Sequence, residues 1–130
     1  MNIKKTVLSL PVKDLQISQN FYQQGLGLTT SGIDESIISL ELPGLSLFLI
    51  EKSTYETYSF RAGIAAYFPT HASECIISAA IPTKQEVDQI LTKAKASGGT
   101  ILNPAKSYGP LYTGYFQDPD GHLWEIVWSP

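Results

Sequence analysis

The sequence contains few of the residues that usually mark disulfides, metal sites and nucleic-acid surfaces. Among its 130 residues are one cysteine, one methionine, two histidines and a single arginine. The lone Cys75 excludes an intrachain disulfide and suits a reducing cytoplasm, where we expect a buried, inert thiol. Nine basic against twelve acidic residues give a net charge of -3, without the basic cluster that phosphate binding requires. We therefore predict a cytoplasmic protein with no nucleic-acid partner.

Long apolar runs are also absent. No stretch approaches the ~20 apolar residues of a membrane span, and charge returns at Lys13 and Asp14, too soon for a secretory signal. Charged residues make up only 16% of the chain, while hydrophobic residues make up 43%. A chain of this length can bury roughly two-thirds of its unfolded surface, so it needs no disulfide or structural metal to fold. The sequence thus predicts one globular domain, residues 1–130, with no membrane partner.

One order of secondary-structure signals occurs in residues 1–51. Apolar residues alternate from Val7 to Val12, which predicts a strand. Asp14 then offers an N-cap for a helix that extends to about Gln24 and ends at two glycines. Three further strands are predicted at about Thr29 to Ile33, Ser36 to Glu41 and Leu45 to Glu51.

The same order returns in residues 75–130. Ile76 to Ile81 predicts a strand, and Thr83 with Glu86 forms a capping-box pattern before an amphipathic helix. Three strands should follow, at about Thr100 to Pro104, Tyr112 to Asp118 and His122 to Trp128. The chain is therefore predicted to contain two copies of one module, related by a pseudo-twofold axis.

Residues 52–74 form the connector between the predicted modules. This segment carries tyrosines, Arg61 and His71 without clean helical or strand periodicity. Long connectors in compact domains are often functional, but a linker with a poorly formed helix explains the pattern equally well. The sequence leaves both alternatives open.

Two motifs carry a resemblance to a known family. Leu10–Leu15 (LPVKDL) and above all Gly114–Glu125 (GYFQDPDGHLWE) resemble the vicinal oxygen chelate superfamily, which includes glyoxalase I, bleomycin-resistance proteins and extradiol dioxygenases. The resemblance implies an α+β fold of two tandem βαβββ modules, whose curved mixed sheets surround a concave cup with helices on the outer face. It also implies a homodimer, since such modules often complete their cups across a twofold axis; a monomer with both modules paired internally is the alternative.

The resemblance further implies where metal-using relatives place their ligands. Carried over position by position, these sites fall on the residues Val7, Phe48, Ile76 and Glu125. Only Glu125 can coordinate a metal, whereas a specific divalent site needs at least three protein ligands. Neither histidine completes the ligand set. Strand alternation places His122 on the other face of the sheet from Glu125, and His71 is expected on the surface. We predict no metal and no other cofactor.

Period-two geometry assigns the side chains that should line the cup. They are apolar residues and small hydroxyls around one acid, and tyrosines near the last hairpin offer flat faces for gripping a ring. The candidate ligand-binding residues are Ser9, Ser46, Phe48, Arg61, Ser78, Tyr108, Tyr112, Tyr115 and Glu125.

Glu125 is the most informative candidate. A carboxylate among apolar neighbours should either be protonated more readily than usual or have a partner. That partner could be Arg61 or a lysine, a serine, tyrosine or water, or a ligand.

The leading hypothesis is a metal-independent protein that binds a small, partly aromatic organic molecule, as a bleomycin-resistance protein does. The alternatives are a glyoxalase-like lyase or isomerase with Glu125 as its catalytic acid/base, and a regulatory dimer whose cup is vestigial.

Overall fold

The computed structural model describes residues 1–69 and 72–130, which form two compact units, residues 1–68 and 69–130. Each unit contains one four-stranded sheet in which a parallel strand pair is extended by antiparallel strands. This confirms the predicted α+β class and the two mixed sheets. Within the described residues, none of the helices has both the length and the apolar character that a membrane crossing requires.

The first unit follows the predicted order of elements. Its members are β1 (Val7–Val12), α1 (Leu15–Gln19) with a π-helical turn (Asn20–Gly25), β2 (Thr30–Asp34), β3 (Ile37–Leu42), β4 (Leu45–Glu51) and α2 (Lys52–Arg61). The strands lie in the order β1-β4-β3-β2. Asp14 caps α1 as predicted, because its side chain accepts the backbone N–H groups of Gln16 and Ile17.

The second unit repeats this order with one difference from the prediction. Its members are β5 (Ile76–Ala80), α3 (Lys84–Ala96), β6 (Lys106–Tyr108), β7 (Leu111–Gln117) and β8 (Leu123–Trp128), in the sheet order β5-β8-β7-β6. The predicted strand Thr100 to Pro104 is wrong, since only Thr100 forms an isolated bridge, to Gln117. Pro104 has no N–H to donate and restricts the residue before it, so pairing resumes only at β6.

The connector contains a regular helix. α2 follows β4 directly and spans ten residues, none of which is buried. Helical periodicity reflects burial of one face, so a helix with no buried face leaves no apolar stripe in the sequence. Cys75, at the other end of the connector, is exposed, which corrects the expectation of a buried thiol.

One face of each sheet packs on a helix, and the cores lie there. In the first unit, Phe21 and Tyr22 follow α1 and are fully buried, as are Leu47 and Leu49 of β4. In the second unit, α3 buries Val87, Leu91 and Ala94 against β7 and β8. Gly114 on β7 permits this approach, because a Cβ there would lie 2.4 Å from Leu91 Cδ1. We call this side the helix face and the opposite side the distal face.

Candidate functional site

The distal face of the second unit combines apolar, hydroxyl and charged side chains. Strand register assigns its members, because directly paired residues point to the same side of a sheet. They are Ile76, Ser78 and Ala80 on β5, Leu123, Glu125 and Val127 on β8, Leu111, Thr113, Tyr115 and Gln117 on β7, and Lys106 and Tyr108 on β6.

Ser78, Tyr115 and Glu125 form a hydrogen-bonded group on this face, which we call the Glu125 cluster. Ser78 Oγ donates to Glu125 Oε1 at 2.9 Å, and the Tyr115 hydroxyl donates to Glu125 Oε2 at 2.6 Å. The register explains the contacts, since Ser78 and Tyr115 lie directly opposite Glu125 on its two neighbouring strands. Each carboxylate oxygen therefore accepts one hydroxyl proton from the protein.

These contacts supply one of the partners that the sequence left open for Glu125, the serine and tyrosine hydroxyls. The carboxylate is bonded to neutral hydroxyls, and no lysine or arginine of the described residues lies within ion-pair distance of it. The hydrogen bond to Glu125 is the main cause that raises the pKa of Tyr115 to about 12, and desolvation and the charge of Glu125 add to it. Tyr115 thus stays a proton donor to the carboxylate at neutral pH.

Tyr108 lies on the same face, on the edge strand β6. Its side chain is 48% exposed, and the Lys106 ammonium lies 5.0 Å from its ring centroid. The negative charge that Tyr108 acquires on ionisation also contributes to the raised pKa of Tyr115. An aromatic ring that accepts a cation therefore lies near the Glu125 cluster.

Tyr112 lies on the helix face, away from these residues. Its hydroxyl donates to Asp88 Oδ1 on α3 at 2.6 Å, which raises the pKa of Tyr112. The Lys84 ammonium lies 5.9 Å from the Tyr112 ring and 4.9 Å from the Trp128 ring. This tyrosine joins α3 to the sheet.

The candidate residues of the first unit lie near a carboxylate, Glu41, that is already paired with a cation. Ser9 pairs with Phe48 on the distal face, and Ser46 lies beside them, 2% exposed. The Ser46 hydroxyl donates to Glu41 Oε2 at 2.5 Å, and the Lys5 ammonium lies 3.0 Å from Glu41 Oε1. The first unit thus has a distal carboxylate too, but a cation is bound to it.

The remaining candidates belong to other segments. Arg61 ends α2, and its guanidinium carbon lies 5.6 Å from the ring centroid of Tyr58. His122 precedes β8, and its backbone N–H donates to Asp118 Oδ1 at 2.8 Å. His71 lies outside the described residues.

The side chains at the implied metal positions do not fit a divalent ion. Val7, Phe48 and Ile76 have no donor atom, which leaves the Glu125 carboxylate alone. In the described part of the chain, no three His, Cys, Asp or Glu side chains come together as a metal site would require. We therefore derive no chemical step through a metal.

A comparison with known families places the chain. A family model described as the Glyoxalase/Bleomycin resistance protein/Dioxygenase superfamily matches residues 4–126. The chain belongs to this superfamily. Membership confirms the resemblance to vicinal oxygen chelate proteins, while no protein of curated function matches the sequence.

Several solved structures have the same fold as this chain. A glyoxalase-related enzyme from Fulvimarina pelagi is 26% identical, with a TM-score of 0.83 over 98% of this chain and 88% of that one. A hypothetical protein from S. aureus is 25% identical, with a TM-score of 0.82 over 98% and 94% of the two chains. A glyoxalase/bleomycin resistance protein/dioxygenase family enzyme from Burkholderia phytofirmans PsJN, at 17% identity, has a TM-score of 0.80 over 96% and 98%. This last likeness concerns the fold alone.

Sequence reasoning missed Lys106 as a member of the distal face, and it grouped Tyr112 with Tyr115. Both errors arise because the sequence assigns cup positions only on the first and last strands of each module. Alternation along β7 separates Tyr112 from Tyr115, because they are three residues apart. The pairing of β6 with β7, in which Lys106 lies opposite Thr113 and Tyr108 opposite Leu111, puts both residues on the face of Tyr115.

Proposed function

We propose that this superfamily member binds a small, partly aromatic organic molecule on the distal face of its second unit, without a metal and without turnover. The observation that carries the proposal is the Glu125 carboxylate, held in place by Ser78 and Tyr115. Two hydroxyl donors from neighbouring strands fix its orientation, as a recognition group requires.

The surroundings of the cluster suit an organic ligand. Ile76 is 53% exposed, Tyr108 48% and Leu111 39%, all on the distal face. Covering apolar surface is favourable by roughly 25 cal/mol per Å², and tyrosine adds a flat ring with a polar end. A few polar groups within an apolar surface are typical of small-molecule sites.

The absence of a metal from this function is part of the proposal. The three apolar residues at the implied metal positions support it. We expect protein purified without chelator to contain far less than one equivalent of nickel, zinc, iron or manganese. Near-stoichiometric metal that disappears in a Glu125→Ala variant would overturn this part.

The lyase or isomerase alternative assigns Glu125 as a general base. Proton transfer by such a base also needs a group that stabilises the developing negative charge, and the implied metal positions Val7, Phe48 and Ile76 supply none. Binding therefore explains the arrangement better than proton transfer. Turnover of the methylglyoxal–glutathione adduct by the wild type, lost in Glu125→Gln, would establish the enzyme instead.

Thermal-shift screening with aromatic drugs and metabolites tests the binding function. A compound that binds only the folded state must raise the unfolding midpoint. We expect Tyr115→Phe to reduce the shift for each active compound, and the matched Tyr112→Phe variant, on the helix face, to preserve it. If no compound raises the midpoint, or if both variants lose the shift equally, the site is not a binding site and the vestigial alternative stands.

We also propose that the protein is a homodimer that uses the surface around α2. Three side chains of α2 and the segment after it are strongly exposed: Phe60 by 83%, Ile64 by 67% and Tyr67 by 82%. Phe60 and Ile64 help to line a groove of about 480 Å³. Exposed apolar patches of this kind mark protein contacts.

Light scattering should give twice the chain mass of 14.3 kDa, and Phe60→Ser should shift the protein toward monomer. A wild-type monomer at all concentrations would refute the dimer.

A further inference from the structure

We infer that the ligand of the distal face carries a protonated amine, which binds the Glu125 carboxylate while its aromatic part packs on the neighbouring tyrosines. This inference rests on the proposed binding function and adds the chemical class of the ligand. It distinguishes aromatic amines from neutral and anionic aromatic molecules.

The two distal carboxylates differ in charge balance. Glu41 of the first unit has the Lys5 ammonium 3.0 Å from its Oε1. Glu125 has only the hydroxyls of Ser78 and Tyr115, so its charge is not balanced by a neighbouring cation among the described residues. A half-buried carboxylate without a counter-ion attracts a cation more strongly than one that is already paired.

The Glu125 carboxylate can accept further hydrogen bonds. An ionised carboxylate has about four acceptor sites, and the protein fills two of them at Glu125. The free sites accept protons and offer none, so a ligand must donate to them. An ammonium forms charge-assisted hydrogen bonds that are about twice as strong as neutral ones, whereas a ligand carboxylate would be repelled.

Two tyrosines of the distal face lie on the β7 side of Glu125. Tyr115 lies directly opposite Glu125, whereas Tyr108 pairs with Leu111, two strands across and four residues along the sheet, so its Cα lies roughly 17 Å from that of Glu125. A flat molecule whose ammonium binds Glu125 therefore packs first beside Tyr115 and extends toward Tyr108, which is 48% exposed. The apolar end of the ligand, and not its ammonium, meets the Tyr108 ring, because the Lys106 ammonium already lies 5.0 Å from that ring centroid.

A matched set of three indoles tests the inference. Tryptamine carries an ammonium, tryptophol a neutral hydroxyl and indole-3-acetate a carboxylate on similar aromatic bodies. We expect tryptamine to bind the wild-type protein at least about tenfold more tightly than the other two, as a charge-assisted hydrogen bond requires. NMR titration of the full chain measures all three affinities even when they are millimolar.

Two charge-matched variants identify the carboxylate. Glu125→Gln should remove the preference for tryptamine over tryptophol. Glu41→Gln removes the same charge from the first unit and should leave the preference intact, because Lys5 already pairs with Glu41. Circular dichroism checks that each variant is folded, and the wild-type comparison is decisive even if one of them is not.

The possible failures are distinct. Equal binding of all three indoles, weakened by Tyr115→Phe, would overturn the amine and leave the proposed binding function in place. A preference for tryptamine that survives Glu125→Gln would overturn the role of this carboxylate. If none of the three binds, the inference is wrong, and the broader thermal-shift screen decides separately whether the face binds any ligand.

Discussion

The two units present the same strand arrangement with different chemistry on their distal faces. Ser9 pairs with Phe48 in the first unit, and Ser78 pairs with Glu125 at the matching position of the second. The third member also differs, since Ser39 lies opposite Phe48 and Tyr115 lies opposite Glu125. The strand register that the two units share thus determines where three side chains meet, and the identity of those residues determines whether a carboxylate site results.

The helix faces show a second difference. Ile38 pairs with Leu49 in the first unit and is fully buried, whereas Gly114 pairs with Ile126 at the matching position of the second. The glycine leaves room for Leu91 of α3. The two units therefore fill the same core position in opposite ways, one with a side chain from the sheet and one with a side chain from the helix.

The largest effect should come from Ile38→Ala, which removes most of a fully buried side chain. Loss of its contacts and the resulting cavity should lower the free energy of unfolding by about 2–5 kcal/mol. Urea denaturation measures this change. A loss below about 1 kcal/mol would mean that the first unit's core does not depend on the sheet side chain.

The converse change, Gly114→Ala, should be the next largest. The added methyl would approach Leu91 Cδ1 to 2.4 Å and the Ala105 Cβ to 3.2 Å, so crowding should cost about 1–3 kcal/mol. The same denaturation experiment, repeated in a Leu91→Ala background, provides the control. If Gly114→Ala costs as much there as in the wild type, crowding against α3 is not the cause.

Tyr115→Phe tests the hydrogen bond that distinguishes the second unit. Its loss should destabilise the protein by about 1 kcal/mol near neutral pH. Because the pKa of Tyr115 in the folded protein is about 12, above the ordinary value of 10.0, its contribution is complete below pH 10 and is lost as pH rises to about 12.

Spectrophotometric titration of the tyrosines follows this directly. The wild type should contain a phenol that ionises near pH 12, and Tyr115→Phe should lack it. Tyr112→Phe is the matched control, because the pKa of Tyr112 is also raised, but by Asp88. A phenol near pH 12 that persists in Tyr115→Phe would assign the shift to another tyrosine.

Glu41→Gln should have the smallest effect, because Glu41 is 60% exposed and its ion pair with Lys5 is screened by solvent. Hydrogen bonds from Ser46 and Lys5 lower the pKa of Glu41 below its ordinary 4.5. Its contribution is therefore present above pH 4.5 and is lost as pH falls through the lower folded-state value. The wild type should therefore be slightly more stable than Glu41→Gln above pH 4.5, and acid denaturation should begin at slightly lower pH in the wild type than in the variant. Identical acid transitions of the two proteins would show that the ion pair contributes nothing to stability.

Most of the fold follows from patterns that depend on local sequence. The structure contains the elements that three local patterns predict: the alternation of Val7 to Val12, the Asp14 cap and the Thr83 cap. The errors occur where local pattern is weak. α2 has no buried face to create periodicity, and Pro104 stops a strand that propensity alone would allow.

The site was predicted less completely than the fold. The sequence singles out Glu125 with its alternative roles, and strand parity assigns Ser78 to the same face as Glu125. The contact with Tyr115 depends on the pairing of β7 with β8, which no single strand pattern specifies. The charge balance at Glu41 and Glu125 also depends on where long lysine side chains lie, and this is a tertiary property.

The most direct test of the difference between the two distal faces is to map a bound ligand by amide chemical shifts, using the aromatic compound that most raises the unfolding midpoint. We expect the largest chemical-shift changes at Ser78, Tyr115 and Glu125, and little change at Ser9, Ser39 and Phe48. Changes centred on Phe48, or spread evenly over both units, would show that the distal face of the second unit is not the binding site.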